Sequence, residues 1–334
     1  MSNVLNIARW EWFKLQRRRM PWILFAILLA FTQLSIWGGL GMYQSAMATG
    51  GQVFIPQRLA MGTGVRSVAC KDLLANPATA VPDGTPAQMI AALTQRCRVE
   101  NGRIAGMYRT LQPAGSISGA LRIAALLELV MLGILATSFI GSEYGLGTLR
   151  PILVRGTGRI PYITGKYLLL VGAATAALLL VCLAAAGSGV LVSHLAVPPP
   201  GGAPAQPAMG EVAVAFVRTW ASLVTYLTIA GSITLLLRST AAGMAISLAW
   251  YAVEWILIQV LSRVFEGFDK VADYLPIRNI NALAGESFTA APIAAASGIS
   301  TLHASLVSLA YVIVFAGLAA VVFRSRDLAG AAGG

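Results

Sequence analysis

The chain has 334 residues, of which 57% are hydrophobic and only 11% are charged, and its mean hydropathy is +0.73. A soluble domain of this length carries about a quarter charged residues, so the composition predicts an integral membrane protein and excludes water-soluble enzymes. The formal net charge of +11 would suggest nucleic acid as a partner of a soluble protein, whereas in a membrane protein basic residues gather on cytoplasmic loops.

Residues 1–20 form an amphipathic segment that is too polar to span a membrane. Four residues fall on one helical face: Leu5, Ala8, Trp12 and Leu15. Tryptophan suits the membrane interface and basic side chains suit anionic headgroups. The residues of this kind that define the segment are Trp10, Trp12, Lys14 and Arg17. The pattern predicts an interfacial elbow helix on the inner leaflet; the alternative is a basic anchor with no other role.

Six apolar runs are long enough to span, at roughly 20 residues per crossing. They cover 21–43, 121–140, 167–195, 212–237, 240–261 and 302–323. All six should be helices, because lipid cannot satisfy an open backbone. The predicted fold is therefore an all-α integral membrane protein with six transmembrane helices behind the interfacial helix.

An even number of spans puts both termini on one side of the membrane. If that side is the cytoplasm, the inner segments carry twelve basic and three acidic residues, a net charge of +9, against +4 outside. Lys and Arg are enriched on the cytoplasmic side, so both termini are predicted to be cytoplasmic. The inner segments after the first span are then the loop 141–166, the turn 238–239 and the tail 324–334.

The outer segments are predicted at 44–120, 196–211 and 262–300. The first contains one helical pattern and two cysteines, Cys70 and Cys97, for which a disulfide and two free thiols both remain open. The second cannot form a helix because of its prolines. The third has a mixed character that suggests a re-entrant or surface-lying piece.

Catalytic and metal-binding patterns are missing from the sequence. It has two histidines, no carboxylate pair or cysteine at ligand spacing, and no glycine-rich ATP-binding loop. Two carboxylates fall inside predicted spans, Glu128 and Glu254. Such groups are costly in lipid, so each either has a structural polar partner or lines a transport path.

The loop 141–166 carries a recognisable spacing, within "EYGLGTLRPILVRGTGRIPYITGKY". Its motif residues are Glu143, Gly147, Thr148, Leu149, Arg150, Arg159 and Lys166. This spacing resembles the cytoplasmic loop of type-2 ABC exporter permeases. Other stretches agree: "WEWFKLQRRRMPW" resembles the elbow helix of that family, "YLPIRNINAL" its last outer loop and "FRSRDL" its ending.

The resemblance implies that the loop forms a coupling helix that docks on a separate ATP-binding cassette ATPase, which holds ATP and Mg²⁺, while this chain itself binds no cofactor and no metal. It also implies a second permease subunit, identical or related, the bacterial plasma (inner) membrane, and substrate export. One departure is Pro151, which directly follows Arg150 and leaves the limits of the coupling helix open.

Two other classes of function are alternatives. An ion-gradient-driven secondary transporter would use Glu128 and Glu254 as proton sites, and should show inverted repeats and broken helices, neither of which stands out. A membrane-embedded enzyme would need a catalytic constellation that the sequence lacks. The spans are too generic to indicate a substrate.

Overall fold

The protein is described by a computed structural model that covers 4–49, 52–59, 62–81, 86–145, 158–199, 202–265, 267–285 and 298–325. Within these residues the chain is mostly helical. The first half contains α1 (Val4–Arg17), α2 (Arg19–Thr49), β1 (Gln52–Leu59), β2 (Gly62–Ala69), α3 (Cys70–Ala75), α4 (Pro77–Ala80), α5 (Ala87–Leu111) and α6 (Pro113–Gly145). The second half contains α7 (Arg159–Leu195), α8 (Met209–Leu237), α9 (Thr240–Val264), α10 (Phe268–Ala272), α11 (Pro276–Ala284) and α12 (Thr301–Ser325).

Each predicted apolar run lies inside one long helix. Five described helices are long and apolar enough to cross a membrane: α2, α7, α8, α9 and α12. The run at 121–140 lies in α6, which bends by 49° between Leu127 and Leu129 and makes a sixth span if its two arms cross together. The elbow segment is a separate helix, α1, and the single residue Arg18 separates its end from the start of α2. The orientation of the termini stays a prediction.

The chain divides into two compact units. The first comprises Met1–Ala30, Ala120–Cys182 and Ala213–Gly334, and the second comprises Phe31–Gly119 and Leu183–Val212. The motif residues of the sequence analysis fall in the first unit, and both paired cysteines fall in the second.

In the first unit, α8 and α9 form a tight helical hairpin. Arg238 has φ 53° and ends α8 in the left-handed conformation, a common way to stop a helix. Ser239 then caps α9 by accepting a hydrogen bond from the backbone N–H of Ala242 at 3.2 Å. A Cβ at Gly243 would lie 2.3 Å from Oγ1 of Thr234, so the two helices approach this closely only because the residue is glycine.

The second unit contains most of the segment 44–120, which was predicted to lie outside, and here the all-α prediction was incomplete. Strands β1 and β2 pair antiparallel, with Gln52 opposite Ala69 and Leu59 opposite Gly62. A disulfide joins Cys70 to Cys97, with Cα atoms 5.4 Å apart. The bridge lies in a small buried cluster with Val68, Leu73 and Val81. Alternating apolar residues in a strand give a weak signal over so short a length, which is why the hairpin was missed.

Candidate functional site

The buried face of α1 is a stripe with helical spacing: Ile7, Glu11 and Leu15 are all buried. This differs from the predicted face, because Trp12 is exposed and Glu11 takes a place in the stripe. The other predicted elbow residues, Trp10, Lys14 and Arg17, are exposed as well. The carboxylate was missed because an isolated amphipathic helix keeps charge on its polar face, and only packing against another charged helix reverses that expectation.

The first turns of α7 pack against α1 at Gly165. A Cβ at Gly165 would lie 2.9 Å from Cγ2 and 3.2 Å from Cβ of Ile7, and 3.4 Å from the carbonyl oxygen of Val4. No ordinary side chain fits in that space without moving α1. Gly165, which directly precedes the motif residue Lys166, is therefore a contact point between two helices.

Lys166 lies beside this contact and bridges two carboxylates from different helices. Its Nζ is 2.8 Å from Oε1 of Glu143 and 3.4 Å from Oε2 of Glu11. Lys14 completes the cluster, with Nζ 2.6 Å from Oε1 of Glu11 and 3.9 Å from Oε1 of Glu143. The side chains of Lys166, Glu11 and Glu143 are 5%, 3% and 8% exposed, whereas Lys14 is 44% exposed. We call these four residues the elbow cluster.

Aromatic side chains enclose the elbow cluster. The hydroxyl of Tyr162 donates a hydrogen bond to Oε2 of Glu143, and Nζ of Lys166 lies 4.3 Å from the ring centroid of Phe139. The cluster holds two carboxylates and two ammonium groups, so its charges balance. Removing one partner of a buried pair leaves an uncompensated buried charge, which makes such a cluster hard to separate once it has formed.

Three further contacts stabilise the same region. Nη2 of Arg18 donates to Oγ of Ser142 at 3.1 Å and so ties the corner between α1 and α2 to α6. Nη1 of Arg159 donates to the carbonyl oxygen of Arg324 at 2.8 Å, which ties the start of α7 to the end of α12. The ring of Tyr162 stacks against that of Phe323 with centroids 6.4 Å apart.

The predicted coupling residues thus divide into two groups. The structure brings Glu143 and Lys166 together at the two ends of the loop and gives Arg159 a partner in α12. The central motif, Gly147 to Arg150, lies outside the described residues. Glu11, the member that sequence reasoning missed, had a usable signal: it is the only acidic residue among residues 1–30 and stands four residues from both Ile7 and Leu15.

Glu254 occupies a second buried polar site. Its Oε2 accepts hydrogen bonds from the backbone N–H of Ile277 and from Nε1 of Trp250, both at 3.0 Å, and its Oε1 accepts from the N–H of Arg278 at 2.8 Å. The carboxylate therefore caps the N-terminus of α11, where unpaired backbone donors favour negative charge. The side chain of Glu128 is outside what the structure describes.

Neither site has the character of a metal centre. Among the described residues, no group of three or more His, Cys, Asp or Glu side chains is placed to hold a metal ion. The arrangement around Lys166 holds helices together, and its chemistry is ion pairing and hydrogen bonding.

A family model for "ABC-2 family transporter protein" matches residues 5–328, nearly the whole length. The chain belongs to the ABC-2 transporter family. The resemblance drawn from the loop motif is thereby confirmed. No curated protein matches the chain.

Membership of this family indicates the general role of the chain. An ABC-2 membrane protein is a multi-pass permease component of an ABC transporter, and the family generally works with a separate ATPase subunit. The elbow cluster is thus a feature of an ABC-2 permease and lies at both ends of the loop in which the coupling motif was predicted.

In this ABC-2 permease, Glu254→Gln should lower the free energy of unfolding by about 1–3 kcal/mol and reduce transport to a similar degree. The amide retains one acceptor oxygen but turns an NH₂ group towards backbone donors, so at least one N–H of α11 loses its partner. Thermal unfolding and transport by purified protein in vesicles are the measurements.

Trp250→Phe is the control for Glu254, because it removes one donor and leaves both backbone hydrogen bonds in place. Trp250→Phe should lower the free energy of unfolding by less than Glu254→Gln does. Wild-type stability with abolished transport in Glu254→Gln would instead assign Glu254 to the transport path.

Proposed function

We propose that the chain couples ATP hydrolysis by a separate ATPase subunit to export of a substrate across the bacterial plasma membrane. Two permease subunits, identical or related, would pack with two ATPases that hold ATP and Mg²⁺. The observation that carries the proposal is the elbow cluster, because it joins both ends of the loop 141–166 to the interfacial helix.

The first step of the coupling is mechanical. An ATPase that closes on ATP displaces whatever is docked on it, and the central loop motif supplies the docked segment. Glu143 precedes that motif and Lys166 follows it, and their charged groups are 2.8 Å apart. Because buried ion pairs resist separation, a displacement of the loop moves the ends of α6 and α7 together.

The second step passes the displacement to the first long helix. Lys166 also contacts Glu11, and Ile7 rests on Gly165, so α1 follows the start of α7. α1 leads into α2 across Arg18, whose guanidinium is bonded to α6. In this proposal α1, α6 and α7 move as one body, and the motion reorients the spans to which they belong.

This assignment changes the role expected for Glu143. A buried carboxylate that is bonded to Lys166 and Tyr162 positions the loop, whereas contact with the ATPase falls to the central motif. The gradient-driven alternative gains no support from Glu254, which three donors within the chain already engage.

Arg150→Ala should weaken recovery of the ATPase about tenfold or more and lower transport per ATP hydrolysed. A charged contact buried at an interface loses several kcal/mol when one partner is truncated, and 1.4 kcal/mol is a factor of ten. We expect the ATPase to be encoded beside this gene. For the test it is co-expressed with the permease, pulled down with it in mild detergent, and assayed in vesicles.

Arg155→Ala is the matched control, because Arg155 carries the same charge in the same loop outside the motif. It should bind and couple like the wild type. Equal behaviour of the two variants, or recovery of the permease without any ATPase, would contradict the proposed coupling.

A further inference from the structure

The solvent side of α5, in the second unit, is strongly basic. The helix contains one acidic residue, Glu100, and four arginines, Arg96, Arg98, Arg103 and Arg109. All four arginines are exposed. The helix packs into the unit through its opposite side, which buries Cys97, Ile104, Tyr108 and Leu111. We call the exposed side with its four arginines the arginine face.

The arginines stand in two rows along this face. Arg96 and Arg103 are seven residues apart, and Arg98 and Arg109 are eleven apart. At 3.6 residues per turn these spacings align each pair on its own side of the face. The positions between the two rows are exposed and uncharged: Gln95, Val99, Gly102 and Gly106. A Cβ at either glycine would meet nothing within 4 Å, so the space between the rows is open.

The charge of the arginine face is largely unbalanced. Nη1 of Arg103 lies 3.6 Å from Oε1 of Glu100. Among the described residues, the other three arginines form no ion pair. Basic residues gather on the cytoplasmic side of membrane proteins, which gives no reason for this surface in a segment predicted to lie outside. An anion fits the surface, since guanidinium groups pair with phosphate or carboxylate through two parallel hydrogen bonds.

The arginine face extends away from the end of the first predicted span, 21–43. The ring centroid of Tyr108 lies 5.6 Å from that of Tyr43, and Cδ2 of Leu111 lies 3.4 Å from the position of a Cβ at Gly39. The later residue of α5 contacts the earlier residue of α2, so the two helices run antiparallel here. At about 1.5 Å per residue, Arg96 stands roughly 18 Å beyond Tyr108 along α5. One small anion does not cover a face of this length.

We propose that the arginine face binds a linear phosphate polymer on the side of the membrane that is predicted to be outer. An extended chain places successive phosphates along both rows, whereas a bilayer surface at the level of Tyr43 reaches only the end of the face near Arg109. A protein partner needs an apolar centre with anchoring side chains. In α5, all of which the structure describes, Val99 is the only large apolar residue between the rows. The inference does not depend on the coupling proposed above.

The test follows binding at the arginine face itself. Gln95→Cys, made in a Cys182→Ala background, places an environment-sensitive fluorophore between the rows of the purified full-length permease in neutral detergent. Sodium polyphosphate should change the emission of this fluorophore. Four phosphate contacts, each with a slope of about −0.7 in log affinity against log salt concentration, should weaken binding about 50-fold from about 50 to about 200 mM salt.

Two double variants neutralise one row each: Arg96→Gln/Arg103→Gln and Arg98→Gln/Arg109→Gln. Each should halve the salt slope, so that the same change in salt weakens binding only about sevenfold. The control Arg122→Gln/Arg263→Gln removes two exposed arginines outside α5, and it should keep the wild-type slope. Thermal unfolding checks that each variant is folded, and if one row variant fails to fold, the other tests the same inference.

Five results would overturn the inference: no response to polyphosphate, an equal response to orthophosphate at the same phosphate concentration, tighter binding of polyglutamate, tighter binding of phosphatidylglycerol vesicles, or an undiminished salt slope in the folded row variants. The second would indicate a small-anion site only, the third an acidic protein partner and the fourth the membrane surface. None of these outcomes bears on coupling, because no ATPase is present.

Discussion

Lys166→Met should lower the free energy of unfolding of the permease by about 3–5 kcal/mol. The methionine fills a similar volume but leaves Glu11 and Glu143 facing each other in a buried site without the ammonium group that bridges them. The loss should be visible by equilibrium unfolding in mixed micelles. The α1 helix should detach early, and protease access to its N-terminal residues is a second readout.

Lys14→Met is the matched control, because Lys14 is bonded to the same carboxylates but is 44% exposed. An ion pair that solvent screens contributes roughly 0–1 kcal/mol, so this variant should be close to the wild type. Adding Glu143→Gln to Lys166→Met should restore part of the stability, since it removes the one carboxylate charge that Lys14 leaves uncompensated. Equal losses for Lys14→Met and Lys166→Met would refute the burial argument.

Gly165→Val should uncouple ATP hydrolysis from transport, with transport per ATP reduced about tenfold. The first added carbon already lies 2.9 Å from Cγ2 of Ile7, and the remaining methyl groups push α1 further from α7. Overpacking of this kind costs about 1–3 kcal/mol, which is enough to separate α1 from the loop without unfolding the spans. Vesicle transport and ATPase rates, measured together, give the ratio.

Gly172→Val provides the control, because Gly172 lies on the same helix and a Cβ there meets nothing within 4 Å. Gly172→Val introduces the same β-branched residue into the same helix, and its transport per ATP hydrolysed should equal that of the wild type. Adding Ile7→Ala to Gly165→Val should restore coupling, because the smaller alanine leaves space for the valine side chain. If Gly165→Val couples like Gly172→Val, α1 is not part of the moving body.

Variants of the loop residues distinguish two roles, holding the helices together and binding the ATPase, which the sequence analysis had assigned to the same residues. Glu143 and Lys166 were both predicted to meet the ATPase, but they are buried against each other. Their variants should change stability and coupling together. Arg150 belongs to the central part of the same motif, and its variant should change ATPase binding first. Measuring stability and pull-down on the same set of variants distinguishes the two patterns.

Several features of the fold were accessible from residue order alone. Hydropathy placed each predicted apolar run inside one long helix, because lipid demands long apolar runs and closed backbone hydrogen bonding. The loop spacing from Glu143 to Lys166 was enough to predict the family. Two cysteines in one predicted outer segment were enough to suggest a disulfide between them. The basic residues of the inner segments favoured one orientation. Each of these inferences depends on local composition or on spacing within one segment.

Other features depend on residues that are distant in the chain. Glu11 and Lys166 lie on different helices. The spacing of Glu11 from Ile7 and Leu15 is a signal for its place on the buried face of α1, but neither segment identifies Lys166 as its partner. Glu254 became a helix cap only when the backbone of Ile277 and Arg278 was placed beside it. The β1–β2 hairpin and the 49° bend of α6 likewise follow from packing.

The sequence by itself thus determined that this protein is a membrane-embedded member of the ABC-2 transporter family, because apolar length and motif spacing are local properties. Only the tertiary structure decided which charges work together. A buried charge is tolerated where a partner of opposite sign reaches it. Lys166 finds one such partner on α6, Glu143 at 2.8 Å, and another on α1, Glu11 at 3.4 Å, where the close approach of Ile7 to Gly165 places α1 beside it.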